Sequence, residues 1–144
     1  MNNGWPYDMF GIECGDGWKD LYSPLIDYVE KYNQKHGPDS ILEIHQIKEK
    51  FAGLRFYWSG NNVPTEICDE FRKMIEDAES ESYHVCEQCG TRENVGLVYK
   101  GWYYTICEDC LKKMAEKFSG EYHWKIGDKK YIVNKDGKTE SQRS

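Results

Sequence analysis

Apolar side chains recur at three- and four-residue steps through Trp18, Leu21, Tyr22, Leu25, Ile26, Val29 and Tyr32, a spacing that gathers them on one face of an α-helix. Asp16 stands where a carboxylate would cap the first turn, and His36-Gly37-Pro38 mark the end. Pro24 falls inside the stretch. It has no amide to donate, so the pattern predicts a kink there, or a break with Ser23 capping a second helix.

Residues 41–49 (ILEIHQIKE) and 54–58 (LRFYW) are rich in β-branched and aromatic residues and flank a short stretch containing Ala52 and Gly53. This predicts a β-hairpin. Alternation along the second strand would put Arg55 and Tyr57 on one face and Phe56 and Trp58, in the core, on the other. Pro64 opens the next helix, with Ile67, Phe71, Met74, Ile75 and Ala78 as its apolar stripe and Cys68 on the edge of that stripe. Glu70, Glu76, Asp77, Glu79 and Glu81 make the far face acidic, and such runs are ordinarily solvated surface.

From His84 the composition turns to cysteine, glycine and aromatics. A knuckle, Cys86-Glu87-Gln88-Cys89-Gly90, precedes a predicted hairpin (GLVYKGWYYTI, turning at Lys100-Gly101), and Cys107-Glu108-Asp109-Cys110 leads into a helix with Leu111, Met114, Ala115 and Phe118 on one face. A last hairpin is predicted over 122–133, turning at Gly127-Asp128, and the tail KDGKTESQRS reads as disordered. The expected fold class is α+β: a helix–hairpin–helix part over 1–83, a cysteine-bearing finger over 84–120, a terminal hairpin over 121–134 and a free tail over 135–144.

Two CxxC pairs separated by 17 residues supply the four thiolates of a tetrahedral site, and Cys86, Cys89, Cys107 and Cys110 are predicted to bind one structural zinc ion. The second pair opens a helix, where free amides and the helix dipole favour thiolate charge. Knuckle, hairpin and helix in this order resemble a treble-clef zinc finger over residues 84–118. Four protein ligands leave no position for a catalytic water. His84 is expected beside the site or on the surface, and Cys14 and Cys68 as small core residues.

The chain has 144 residues, 39% of them hydrophobic and 15% aromatic, enough to bury a core. Its formal charge is −6, which zinc-bound thiolates would take to about −8. That excludes a generic polyanion binder. The charge is uneven: residues 1–85 hold 16 acidic and 8 basic side chains, residues 86–144 hold 9 and 11, so a phosphate-facing surface would lie toward the C-terminal part. The first residues lack a basic and apolar leader pattern, and no segment has the length of a membrane span. A cytoplasmic protein with reduced cysteines is expected.

Enzyme templates fail. The finger's hairpin and helix carry no histidine for a metal-dependent nuclease, His123 stands isolated, and no phosphate-loop, dinucleotide or nucleophile-elbow motif occurs. A non-enzymatic binding role is expected instead. Arg55 and Tyr57 on one strand face, Lys48 on its partner strand and Trp102 in the finger's hairpin combine aromatic faces with cations, which stacking on a base and pairing with a phosphate require. The competing assignment for each aromatic is plain core packing.

The segments Cys14-Gly15-Asp16-Gly17-Trp18 and Ile47-Lys48-Glu49-Lys50-Phe51-Ala52-Gly53-Leu54-Arg55-Phe56-Tyr57, followed by the CxxCG and CxxC pairs, resemble a group of small phage and prophage proteins of unassigned function over about residues 11–115. Their hairpin commonly reads KFGGLRFY. Ala52 replaces its first glycine, which argues against a positive φ there. The resemblance implies a phage accessory protein in the bacterial cytoplasm and carries no catalytic residues. The resulting expectation is a counter-defence protein that sequesters a nucleotide-derived immune signal through Lys48, Arg55, Tyr57 and Trp102. The alternative is a zinc-finger adaptor that binds a host protein or nucleic acid, and either could act as a homo-oligomer.

Overall fold

The computed structural model describes residues 11–141. They form a mixed α+β fold with two sheets, each with its own core. In the first sheet a short strand β1 (Ile12–Glu13) runs parallel to β2 (Ile41–Lys50), which pairs antiparallel with β3 (Gly53–Asn61). A bulge between Ile44 and Gln46 shifts the register of the hairpin.

Helices α1 (Lys19–His36) and α2 (Thr65–Glu81) cover one face of this sheet. Leu25, Ile26, Val29 and Tyr32 from α1 meet Phe71 and Ile75 from α2 over Leu42, Ile47, Leu54 and Phe56. Phe71 sits at the centre, stacked on Tyr28 at 5.0 Å and edge-on to Trp58 at 5.0 Å and Phe56 at 5.9 Å. Such ring pairs add to the burial itself about 0.5–1.5 kcal/mol each.

Helix α1 differs from expectation at its start, and of the two outcomes expected at Pro24 it excludes the break with Ser23 as a second cap. Asp16 lies in a 3-10 turn over Asp16–Trp18, and Trp18, with no side-chain cap bond, occupies the cap position. The helix runs unbroken through Pro24. The carbonyl that Pro24 leaves without a partner is that of Asp20, an exposed residue near the helix start where water can satisfy it.

Glu79 does not join the solvated acidic face of α2. Its carboxylate accepts the Phe56 amide at 2.9 Å, and the Ser82 hydroxyl accepts the Leu54 amide at 3.0 Å. Two outward-facing donors of the edge strand β3 are thereby satisfied, which removes a template for unwanted pairing.

The second sheet has the order β5-β4-β6-β7-β8, all antiparallel. It comprises β4 (Val95–Val98), β5 (Tyr104–Cys107), β6 (Tyr122–Ile126), β7 (Lys129–Asn134) and β8 (Gly137–Glu140). Helix α3 (Glu108–Phe118) lies over it, buries Leu111 and Ala115, and packs Leu111 with Val98, Ile106, Trp124 and Val133. The finger's hairpin and the terminal hairpin thus share one sheet and one core, because β4 pairs with β6.

Two details depart from the sequence reading. Phe118, expected on the buried face of α3, is 64% exposed, because Met114 is the last residue of the helix packed against that core. Residues 137–140, expected within a disordered tail, pair with β7 as β8. The Ser141 amide extends that pairing to the Lys130 carbonyl at 2.8 Å; residues 142–144 lie outside the described part.

Candidate functional site: a four-cysteine cluster joined to an aromatic groove

Cys86, Cys89, Cys107 and Cys110 converge, with all four sulfurs within 4.8 Å of one another. None of the six cysteines is disulfide-bonded. Local turns create the convergence. Gly90, at φ 83, closes the knuckle by donating its amide to the Cys86 carbonyl at 2.9 Å. Cys107 is the N-cap of α3, and its sulfur accepts the Cys110 amide at 3.4 Å. The Thr91 amide lowers the Cys89 thiol pKa, whereas burial raises those of Cys107 and Cys110. The cluster can hold a metal ion, which would deprotonate all four thiols. His84 is exposed and lies outside this cluster.

The knuckle is clasped by the Cys14-Gly15-Asp16-Gly17-Trp18 loop. Gly17 donates its amide to the Glu87 carbonyl at 2.7 Å, Gly15 donates to the Glu87 carboxylate at 2.8 Å, and the Trp18 indole donates to the Val85 carbonyl at 2.8 Å. A Cβ on Gly15 would lie 2.4 Å from the Glu87 carbonyl oxygen, and one on Gly17 2.1 Å from that of Cys86. Both positions therefore need glycine to admit the knuckle backbone. Burial pushes the Glu87 carboxyl pKa up, and the Gly15 amide opposes that shift. Cys14, packed against the first core, is pushed up to about 12 by burial, with Glu87, Asp16 and Glu49 adding to the effect.

The same knuckle reaches the tip of the first hairpin. The Glu87 amide donates to the Thr105 carbonyl at 3.1 Å, and the buried Thr105 hydroxyl donates to the Ala52 carbonyl at 2.7 Å. Ala52 in turn donates its amide to the Glu49 carboxylate at 2.7 Å. These bonds hold a two-residue turn in which Phe51 has φ 52 and Ala52 φ 71. A positive φ at Ala52 was not expected from the alanine. It arises because a two-residue hairpin matches strand twist with a turn that is left-handed at both positions, and the three bonds compensate for the missing glycine.

The turn projects Phe51 outward, 68% exposed, and the loop between β4 and β5 projects Trp102, 78% exposed, and Tyr103. Together they bound one groove of about 480 Å³, with Lys48, Glu49, Lys50 and Phe51 on one side and Gly101, Trp102 and Tyr103 on the other. The Lys50 ammonium stands 5.7 Å from the centre of the Phe51 ring.

Of the four binding residues read from the sequence, Lys48 and Trp102 meet in this groove. Arg55 lies across the ladder from Lys48, but its guanidinium turns to the Tyr83 hydroxyl at 3.2 Å and the Leu54 carbonyl at 3.0 Å, and the Tyr83 bond raises its pKa. Tyr57 is exposed farther along β3, opposite Gln46, and does not line the groove. Lys50 and Tyr103, close to Lys48 and Trp102 in the sequence, line the groove as well, and sequence reasoning missed Phe51. An aromatic residue inside a two-residue turn, as at Phe51, was the available signal, since such a side chain has little core to enter.

No family model matches the chain, and no curated protein or solved structure does either. No helix among the described residues is long and apolar enough to cross a membrane.

Proposed function

We propose that this is a non-enzymatic binding protein whose groove takes a nucleotide-like ligand, and whose cysteine cluster holds one structural zinc ion that orients the groove. The observation that carries the reading is the meeting of Phe51, Trp102 and Tyr103, exposed aromatics from separate lobes, in a groove that also contains Lys48 and Lys50. A base stacks on the rings, and the lysines attract its phosphate. Phe51 is presented to the groove from a left-handed two-residue turn whose other residue, Ala52, is buried and bonded to Thr105, so the ring stands on a fixed backbone.

Zinc is the metal that suits the cluster. Tetrahedral Zn–S bonds of about 2.3 Å set sulfurs about 3.8 Å apart, and Cys89 and Cys107 lie 3.8 Å apart. A knuckle, a hairpin and a helix that begins at the second cysteine pair support a treble-clef-like finger. Zinc would neutralise thiolate charge and fix the knuckle, and four protein ligands leave no open position for hydrolysis. The resemblance to phage and prophage proteins supports a role in the bacterial cytoplasm, where such a binder would sequester a nucleotide-derived immune signal.

Calorimetry and Trp fluorescence with the zinc-loaded protein and a panel of cyclic and ADP-ribose nucleotides test the reading. Quenching is expected on binding, and Trp102→Ala should weaken the affinity by about five- to 150-fold, since stacking contributes about 1–3 kcal/mol per base. Silence across the whole panel would overturn the ligand class. The 78% exposure of Trp102 favours a second reading, in which the same aromatics anchor a host protein; salt-insensitive capture of one defined partner would identify that case.

A further inference from the structure

The open face of the second sheet carries a feature that the groove does not use. Lys125 of β6 and Lys130 of β7 are directly opposed across the ladder, an arrangement that is unfavourable for like charges. Their ammonium groups lie 5.4 and 5.9 Å from the centre of the same ring, that of Tyr99. His123, beside Lys125 on the outward side of β6, meets that ring edge-on at 6.0 Å. The Tyr99 amide donates to the His123 carbonyl at 3.1 Å, which fixes the loop against the strand. None of the ion pairs among the described residues involves either lysine.

Among the described residues the pair therefore meets a neutral ring and no ion-pair partner, in a chain whose net charge is −6. Self-repulsion of this kind is relieved when an anion bridges the two ammonium groups. We propose that Lys125, Lys130, Tyr99 and His123 form a phosphate-binding site on the outer face of the second sheet. The phosphate belongs either to a small phosphorylated molecule or to the backbone of single-stranded nucleic acid. Lys125 and Lys130 supply the charge, Tyr99 holds both side chains at one place, and His123 offers a ring N–H at the margin. The site is independent of the aromatic groove, so failure of the nucleotide reading leaves it standing.

The test titrates the full zinc-loaded chain with inorganic phosphate and pyrophosphate, followed by amide and His ring NMR signals. Saturable shifts confined to Tyr99, His123, Lys125 and Lys130 are expected. The double variant Lys125→Gln, Lys130→Gln should weaken the affinity at least tenfold with its melting temperature equal or higher, because the variant removes the repulsion. A second arm uses a short single-stranded oligonucleotide. If nucleic acid is the source, affinity falls with salt, and the double variant makes the slope of log K against log salt shallower by about 1.4, for two lost phosphate contacts. Phosphate binding without oligonucleotide binding assigns a small phosphorylated molecule. No local shifts with tens of millimolar phosphate or pyrophosphate, or local shifts that persist in the double variant, overturn the proposal.

Discussion

The amide of Gly17 donates to the carbonyl of Glu87 across 2.7 Å, and the loop over residues 14–18 thereby grips the backbone of the cysteine knuckle. A methyl group at Gly17 would meet the Cys86 carbonyl oxygen at 2.1 Å. Because the obstacle is backbone, the knuckle itself must shift. Gly17→Ala is expected to lower stability by about 3 kcal/mol, the upper range for overpacking, and to weaken cobalt or zinc binding at least tenfold in a metal titration. Gly127→Ala is the control. It meets nothing within 4 Å but has φ 58, so it should cost about 1 kcal/mol and leave metal binding unchanged.

Metal removal should act unequally on the two cores. Cys86 and Cys107 belong to the second core with Trp124, Leu111 and Val133, whereas the first core contains no member of the cluster. A chelator is expected to expose four thiols to Ellman's reagent and to abolish near-ultraviolet dichroism from Trp124. Much of the helical signal of α1 and α2 should persist. Four thiols that stay unreactive in excess chelator would show that the metal does not hold this lobe together.

Opposite effects are expected within one turn. Thr105→Val leaves the Ala52 carbonyl without its hydroxyl partner in a buried position and should destabilise by about 1–3 kcal/mol. Ala52→Gly releases a residue held at φ 71 and should stabilise by about 1 kcal/mol. Urea denaturation of the two single variants checks both signs.

Cys14 should be a slow thiol. With its pKa pushed up to about 12, roughly one molecule in ten thousand carries the thiolate at about pH 8, so iodoacetamide should label Cys14 slowly until the protein is unfolded. The folded state binds this proton more tightly than the unfolded chain. The corresponding stability is complete below pH 9.0 and is lost as the pH rises toward about 12. The stability difference between wild type and Cys14→Ala should shrink across that interval.

Phe51 and Trp102 are 68% and 78% exposed, so Phe51→Ala and Trp102→Ala should each change stability by less than about 0.5 kcal/mol, as surface substitutions do. Ligand affinity should fall in both. Loss of folding in either variant, seen by thermal melting, would assign these rings to packing instead.

The local pattern of the chain determined the periodic helices, the three hairpins and the convergence of four cysteines, because each depends on residues close in sequence or on a fixed ligand spacing. Ile67, Phe71, Met74, Ile75 and Ala78 could point together only from a helix, and two CxxC pairs at turns aim their sulfurs by local geometry. Tertiary structure decided what no window of sequence contains. Glu79 caps an edge strand only because α2 lies beside β3, and Arg55 is claimed by Tyr83 from a distant turn. The left-handed turn at Phe51 and Ala52 is held by a hydroxyl 53 residues away. Gly15 and Gly17 are needed because the knuckle backbone passes within 2.4 Å of where their side chains would be. Contacts between segments far apart in the chain set the energy at these positions, and they exist only once both lobes have folded against one another.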